Sequence, residues 1–252
     1  MSARVLAVLL LMCSSASAAE WTAAGLVDRA NELMRGQTSH GRMTMTVVTP
    51  RWERRLSLEI WNKGRKKALI RILEPSKERG IITLRSGSEM WNYLPSVERV
   101  IKIPPSLMMQ SWMGSDFSNN DVVKSDSIVK EYTHRLISSA PAPGRVTYVI
   151  ESIPTPDAPV VWGRVVTTVD VEGDDILPAK EEDFDERGRL MRVLVMDERK
   201  IMDGRRMPTR ITCLPRTKPG YKTVIHHQAI QFNAALEDGF FSLGTVRRLS
   251  RE

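Results

Sequence analysis

The feature that most constrains the fold is a long succession of short segments in which apolar and polar residues alternate. The period of two is clearest at 43–47, 56–60 and 68–72, and it returns between 80 and 103 and between 128 and 232. A β-strand places successive side chains on opposite faces, so this period predicts strands. The turns between the runs are too short for helical crossovers, and the strands are therefore expected to be antiparallel.

Roughly eleven or twelve strands can be counted, together with two or three helices. Residues 21–35 have apolar residues at helical spacing, and residues 106–113 contain no β-branched residue. A sheet of this many strands must curl into a closed barrel, a sandwich or a bent sheet covered by helices. The helices favour the last of these. We predict an α+β, mainly antiparallel fold: a strongly curved sheet, or incomplete β-barrel of about 11 strands, covered by two or three helices that enclose an apolar cavity.

The N-terminus has the pattern of a secretory signal peptide. A basic residue, Arg4, precedes the apolar run Val5–Met12, and small residues stand at Ala16 and Ala18. The apolar run is too short to span a bilayer. We predict a signal peptide at 1–18, a single domain at 19–252 and a location in the bacterial periplasm.

Positive charge is concentrated in the segment 51–79 of a chain whose net charge is +7. On alternating strands many of these side chains would share one face, which could meet an anionic membrane surface or an acidic partner. The alternative is an ordinary solvated sheet face. No nucleic-acid recognition motif accompanies the charge, so we expect no nucleic-acid partner. The candidate basic face comprises Arg54, Arg55, Lys63, Arg65, Lys66 and Lys67.

The densest apolar segment, residues 87–121, has two interpretations. The strand 88–94 is apolar on both faces, which predicts that both of its sides are covered. The helix predicted at 106–113 has no clean polar side and is rich in methionine, an adaptable residue. It is either a flexible lid over a lipid-sized pocket or a core helix packed on its own sheet.

The sequence carries no motif for catalysis or metal binding. His226 and His227 would point to opposite faces of a strand, and Asp116–Asp121 is more typical of turns than of a calcium loop. Glu181–Asp183 is interpreted as a solvated strand edge, and Cys213 as a small buried hydrophobic residue. Nucleophile, phosphate-loop and dinucleotide motifs are absent. We predict no enzyme, no metal and no cofactor.

The segment 80–123 resembles the outer-membrane lipoprotein-sorting protein family, the broad LolA-like group of periplasmic proteins, and the resemblance extends over roughly residues 25–245. Its motifs are Gly80, Leu84–Arg85, Met90–Pro95, Val100–Pro104 and Trp112–Phe117. The resemblance implies an incomplete β-barrel closed by helices, with an apolar cavity that carries the acyl chains of lipoproteins or other lipids. It also leaves two candidates, Arg85 and Arg99, for the carrier's functional arginine.

We therefore predict a monomeric periplasmic carrier that binds acyl chains and moves them between membranes. Its partners would be lipids or lipoproteins, and an inner-membrane lipid exporter with an anionic membrane surface. The alternatives are an adaptor or sensor that binds a membrane protein, and a lipid-modifying hydrolase. The residues predicted to line or cover the cavity are Met43, Met45, Leu58, Ile60, Trp61, Met90, Trp91, Tyr93, Leu94, Ile103, Leu107, Met108, Met109, Trp112, Met113 and Phe117.

Overall fold

A computed structural model describes residues 21–251, and these residues form one antiparallel sheet with four α-helices. The proposed signal peptide lies outside the described residues. Thirteen strands exceed the predicted count, because short turns let nearly every apolar run pair with a neighbour. They are β1 (Thr38–Val48), β2 (Glu53–Lys63), β3 (Lys67–Glu74), β4 (Ile82–Ser86), β5 (Glu89–Leu94), β6 (Arg99–Lys102), β7 (Tyr132–Ala142), β8 (Arg145–Pro154), β9 (Arg164–Glu172), β10 (Asp175–Phe184), β11 (Leu190–Met202), β12 (Arg205–Pro215) and β13 (Lys222–Phe232).

The sheet is curved and open, and its two halves meet in the middle. From edge to edge its order is β6-β5-β4-β3-β2-β1-β13-β12-β11-β10-β9-β8-β7. Every neighbouring pair except the central one, β1 with β13, is consecutive in the chain. Gly41 permits this central pairing, since a Cβ atom there would lie 2.5 Å from the carbonyl oxygen of Ala229. The predicted antiparallel architecture is confirmed.

The helix α1 (Ala23–Leu33) covers one face of the sheet, here called the inner face. The Thr22 side chain caps it by accepting a hydrogen bond from the Gly25 N–H at 3.1 Å. The helix buries Leu26, Val27 and Ala30 against residues of β8, β9 and β10. Apolar residues at helical spacing thus meet apolar residues at strand spacing, as the sequence predicts.

The two sheet edges are joined by residues 103–131, here called the connection, which crosses the inner face. It holds 3₁₀ turns at Pro105–Leu107 and Trp112–Gly114, and short helices α2 (Asn119–Val123) and α3 (Ser127–Lys130). The helix predicted at 106–113 is therefore wrong. Met113 has a φ of +51°, and the Trp112 N–H donates to the carbonyl oxygen of Phe117 at 2.7 Å. Burial of the Trp112 side chain, which is 4% exposed, overrides local helix propensity.

The opposite, outer face is covered beside β3, β4 and β5 by a C-terminal helix, α4 (Leu243–Leu249). Its Ser242 cap accepts a hydrogen bond from the Thr245 N–H. Val246 and Leu249 pack with Phe241 on a cluster that includes strand residues of β2, β3 and β4. No helix among residues 21–251 has the length and apolar character needed to cross a bilayer.

Candidate functional site

A cavity of about 400 Å³ lies between the inner face and the elements that cover it. This volume falls in the range of small-molecule sites. Its floor comes from β1–β4 and β9–β13, and its cover from α1, the connection and residues 160–162. The apolar lining includes Met34, Met43, Ile60, Ala68, Ile70, Trp112, Phe117, Ile128, Trp162, Leu194, Met196, Ile211 and Ile225.

The structure brings part of the sequence-predicted set to this cavity. Met43, Ile60, Trp112 and Phe117 line it. Six other members of the set lie beside these in one apolar cluster on the inner face, where they support the lining without being part of it. They are Met45, Leu58, Met90, Ile103, Met108 and Met113.

Three predicted aromatic residues lie on the outer face instead. Trp61, Trp91 and Tyr93 belong to the cluster under α4. The Trp61 ring is 5.5 Å from that of Phe240 and stacks on His40 at 5.0 Å, measured between centroids. The alternation in β2 and β5 places them opposite the cavity.

The remaining predicted members of the lid are peripheral. Leu94 and Leu107 are half-buried and do not line the cavity. Met109 is 57% exposed and points away from the core. Of the segment 107–113, only Trp112 reaches the cavity.

Four of the six residues of the predicted basic face form ion pairs. The pairs are Arg54 with Glu78, Arg65 with Asp28, and both Lys63 and Lys67 with Asp238. The side chains do not share one surface. Arg54 contacts the Met113 carbonyl of the connection, whereas Lys63 contacts the Leu236 carbonyl ahead of α4. Arg55 and Lys66 are exposed.

An arginine on β4 ties the cover of the cavity to the sheet. Arg85 is 3% exposed and pairs with Asp126 at 2.9 Å. It also donates to the Ser125 hydroxyl at 2.7 Å and to the Val122 carbonyl at 3.3 Å. Burial opposes ionisation of Asp126, but hydrogen bonds from Lys130 and Arg85 outweigh it and lower the pKa of this carboxyl. We call this set of contacts the Arg85 latch.

A second arginine holds the cover on the other half of the sheet. Arg192 on β11 makes a bidentate pair with Asp121 of α2, at 2.8 and 2.9 Å. Its Nε donates to buried Asp183 at 2.6 Å, and its guanidinium lies 4.8 Å from the Trp162 ring centroid. Burial works against its charge, but Asp121 and Asp183 together raise the pKa of Arg192. Asp121 also completes the capping box of α2 with Ser118, so the Asx-rich segment, predicted to build turns, contains the start of a helix.

Two acidic residues of β10 lie at this end of the cavity, one buried and one half-buried, contrary to the predicted solvated edge. Glu181 lines the cavity and Asp183 is fully buried, because β10 lies inside the sheet. Burial, reinforced by Asp183, raises the pKa of Glu181 to about 8. Burial also raises the pKa of Asp183, to about 6, against the opposing effect of Arg192. Glu181 is therefore a neutral carboxylic acid at pH 7.

The neutral state of Glu181 predicts a pH-dependent stability. The folded protein holds a proton that the unfolded chain releases near pH 4.5, so stability falls as pH rises from about 4.5 to about 8. Glu181→Gln is expected to melt with wild type near pH 5 and above it near pH 8.5, by at least about 2 °C. Thermal melts across this range measure the effect.

The control for this prediction is Glu182→Gln, which alters the adjacent acid that pairs with Lys180 at 2.8 Å. It should shift the melting temperature equally at both pH values. A melting difference for Glu181→Gln that does not grow with pH would contradict the buried neutral acid.

Burial keeps two other titratable side chains of this region, His227 and Cys213, in their neutral forms. Burial lowers the pKa of His227, which lines the cavity, to about 4, so the ring is neutral at pH 7. His226 points elsewhere and contacts Glu198 at 3.0 Å. Burial raises the pKa of the Cys213 thiol to about 12, and this cysteine is buried as predicted. Within residues 21–251 no group of three or more acidic, histidine or cysteine side chains is placed to hold a metal.

Sequence reasoning missed the polar lining of the cavity. Arg35 follows α1, whereas Glu181 and Arg192 come from β10 and β11, so Arg35 is far from the other two in the chain. The sequence signal that could have revealed them is a charged residue on the same face as apolar residues. Arg192, for example, shares one face of β11 with Leu194 and Met196, which also line the cavity.

Proteins of known structure share this fold. A family model described as an uncharacterized protein matches residues 64–248. A comparison with curated proteins gave no match. Among solved structures, a DUF1329 family protein from Desulfovibrio piger is similar with a TM-score of 0.78 and 24% identity, over 89% of this chain and 97% of that chain.

Two further structures share this fold. An outer membrane lipoprotein-sorting protein domain from Vibrio parahaemolyticus has a TM-score of 0.74 at 20% identity, over 90% of this chain and 98% of that chain. A LolA superfamily protein from Nitrosomonas europaea has a TM-score of 0.73 at 22% identity, over 90% and 100%. The chain therefore belongs to the family that the matching model describes, and its fold is the LolA-like, outer-membrane lipoprotein-sorting fold that its sequence resembles.

Proposed function

We propose that this protein is a periplasmic carrier that binds the acyl chains of lipoproteins or other lipids. The observation that carries the proposal is the cavity of about 400 Å³ between the inner face and its cover. Transfer of an acyl chain from water into such a site gains about 0.8 kcal/mol per buried CH₂ group. Carriage therefore needs apolar lining rather than a reactive group.

The lining suits an acyl chain over the central strands. Met43 on β1, Ile60 on β2, Ile70 on β3 and Ile225 on β13 supply neighbouring apolar side chains along the floor. Unbranched methionine adapts to chains of different shape. In this proposal the tail lies across these strands, under α1 and the connection.

The cover supplies a route for entry and release. The connection contributes Trp112, Phe117 and Ile128 to the lining and is fixed to the sheet through the Arg85 latch and the Arg192–Asp121 pair. Its helices are one turn long, so few backbone hydrogen bonds must break for it to move. We propose that movement of the connection as a whole, rather than of residues 107–113 alone, opens the cavity.

The location and partners complete the proposal. The N-terminal pattern directs the chain to the periplasm, where a carrier would receive its lipid at one membrane and deliver it at another. The names of two structural neighbours refer to lipoprotein sorting and to the LolA superfamily. Exposed Arg55 and Lys66 would face the anionic surface of a donor or acceptor membrane.

Mass spectrometry of lipids extracted from protein purified from its native host tests the carrier. We expect acylated lipid in near-stoichiometric amount, and displacement of an apolar fluorescent dye by added lipid. Absence of both would contradict the proposal. A tight protein partner without lipid would instead support an adaptor, and turnover of an ester substrate would support a hydrolase.

A further inference from the structure

Within the described part of the chain, three of the four arginine and lysine residues that line the cavity lie around Ser125, and the fourth, Arg192, pairs with Asp121 and Asp183. Arg35 follows α1, Lys124 follows α2, and Arg85 projects from β4. Glu181 lies on β10, and six strands separate β4 from β10 in the sheet order. The wall thus has two polar regions: Arg35, Arg85 and Lys124 form one, and Arg192 with the acids around Glu181 forms the other.

Of the three residues around Ser125, Arg85 has a direct ion pair, whereas Asp126 and Glu32 act on Arg35 only at longer range. Arg85 pairs with Asp126, and Lys124 donates to the Pro159 carbonyl. Within residues 21–251, Arg35 forms no ion pair and donates to the Ser125 carbonyl oxygen at 2.9 Å. Arg35 is half-buried, and a partly desolvated cation without a direct ion pair is stabilised by an added anion.

The charge of Arg35 persists in this setting. Burial, together with the nearby charge of Arg85, lowers its pKa to about 10, which still leaves the guanidinium protonated at pH 7. A guanidinium presents parallel N–H donors that match the oxygens of a carboxylate or a phosphate. One such donor is occupied by Ser125, and the remaining ones are available to a ligand in the cavity.

We propose that the cavity selects anionic amphiphiles, with the carboxylate or phosphate head group paired to Arg35 and assisted by Lys124. This inference rests on the proposed acyl-chain function and adds the class of head group. The apolar tail would leave this region along Ile70, Ile60 and Met43.

Displacement of the neutral dye N-phenyl-1-naphthylamine by four competitors tests the inference on the purified protein. The competitors are dodecanoate, dodecyl phosphate, 1-dodecanol and inorganic phosphate. A hydrogen-bonded charge pair adds to the burial of the tail, so we expect both anionic amphiphiles to bind at least about 10-fold more tightly than dodecanol. Inorganic phosphate should not compete, because it lacks the tail.

Three variants test whether Arg35 causes the preference for anionic amphiphiles. Arg35→Gln is expected to reduce affinity for the two anionic amphiphiles to that for dodecanol, while the affinity for dodecanol itself stays at the wild-type value. Arg35→Lys should restore part of the preference. Arg187→Gln, at an exposed position in the turn between β10 and β11, removes the same net charge and should change nothing.

The outcomes separate this inference from the function on which it rests. Equal affinity for dodecanoate and dodecanol in the wild type would overturn the head-group preference and leave the carrier standing. Loss of dodecanol binding in Arg35→Gln would assign Arg35 to the structure of the cavity and overturn its role. Competition by inorganic phosphate would show a simple anion site. Failure of every amphiphile and of the dye to bind would overturn the carrier itself.

Discussion

Replacement of Arg85 by methionine is expected to lower the free energy of unfolding by about 3–5 kcal/mol, the usual cost of breaking a buried ion pair from one side. Methionine preserves much of the side-chain volume but leaves Asp126, which is 7% exposed, with Lys130 alone. In the wild type, the Arg85 side chain contacts both the connection and the β2–β3 turn. Its hydrogen-bond acceptors are Asp126, Ser125 Oγ, and the carbonyl oxygens of Arg65, Gly87 and Val122.

Urea unfolding of the wild type and three variants measures this effect. Arg99→Met serves as the matched control, since Arg99 is exposed on the edge strand β6 and is the other candidate for the carrier's functional arginine. The double variant Arg85→Met with Asp126→Asn removes the orphaned charge and should recover part of the loss. Equal stability of Arg85→Met and Arg99→Met would show that the latch does not hold the cover.

Replacement of Ile225 by tryptophan is expected to weaken acyl-chain binding by on the order of 100-fold. Ile225 lies at the middle of β13, opposite Met45, and its side chain lines the cavity. A larger ring there occupies space that the tail needs. Exclusion of four methylene groups from the cavity would cost about 3 kcal/mol, which corresponds to roughly this loss of affinity.

The control is the same substitution at an exposed strand position. Ile201 on β11 is 76% exposed, so Ile201→Trp should bind dodecanoate as wild type does. Ile225→Trp should remain folded, because the ring fills empty volume rather than displacing packed atoms, and a thermal melt checks this. Wild-type affinity in a folded Ile225→Trp protein would place the acyl chain outside this cavity.

The strands were predictable because alternation depends only on neighbours in the chain. Met43 and Ile60 could be assigned to a buried face in this way, and both line the cavity. Trp61 could not be placed, since period-two patterning identifies two faces without saying which one the cavity occupies. Its outer position depends on α4, which packs there from the other end of the chain.

The polar half of the site depends on contacts that no local pattern reveals. Arg192 and Asp121 are brought together only when the connection crosses β11, and Arg35 enters the cavity only because α1 lies over the sheet. The helix expected at 106–113 failed for a related reason. Local propensity favoured it, but the burial of Trp112 and the turn at Met113 determine the backbone.

The pairing of β1 with β13 dictates an order of assembly. Met43 aligns with His227, so the central seam of the sheet joins segments from nearly opposite ends of the chain. Such a topology has a high contact order. The chain must lose the entropy of closing a long loop before the pairing of β1 with β13 contributes any stabilising free energy. A nascent chain that lacks its last strand has two half-sheets with unsatisfied hydrogen-bonding edges at this seam. Folding can therefore finish only after β13 has been synthesised.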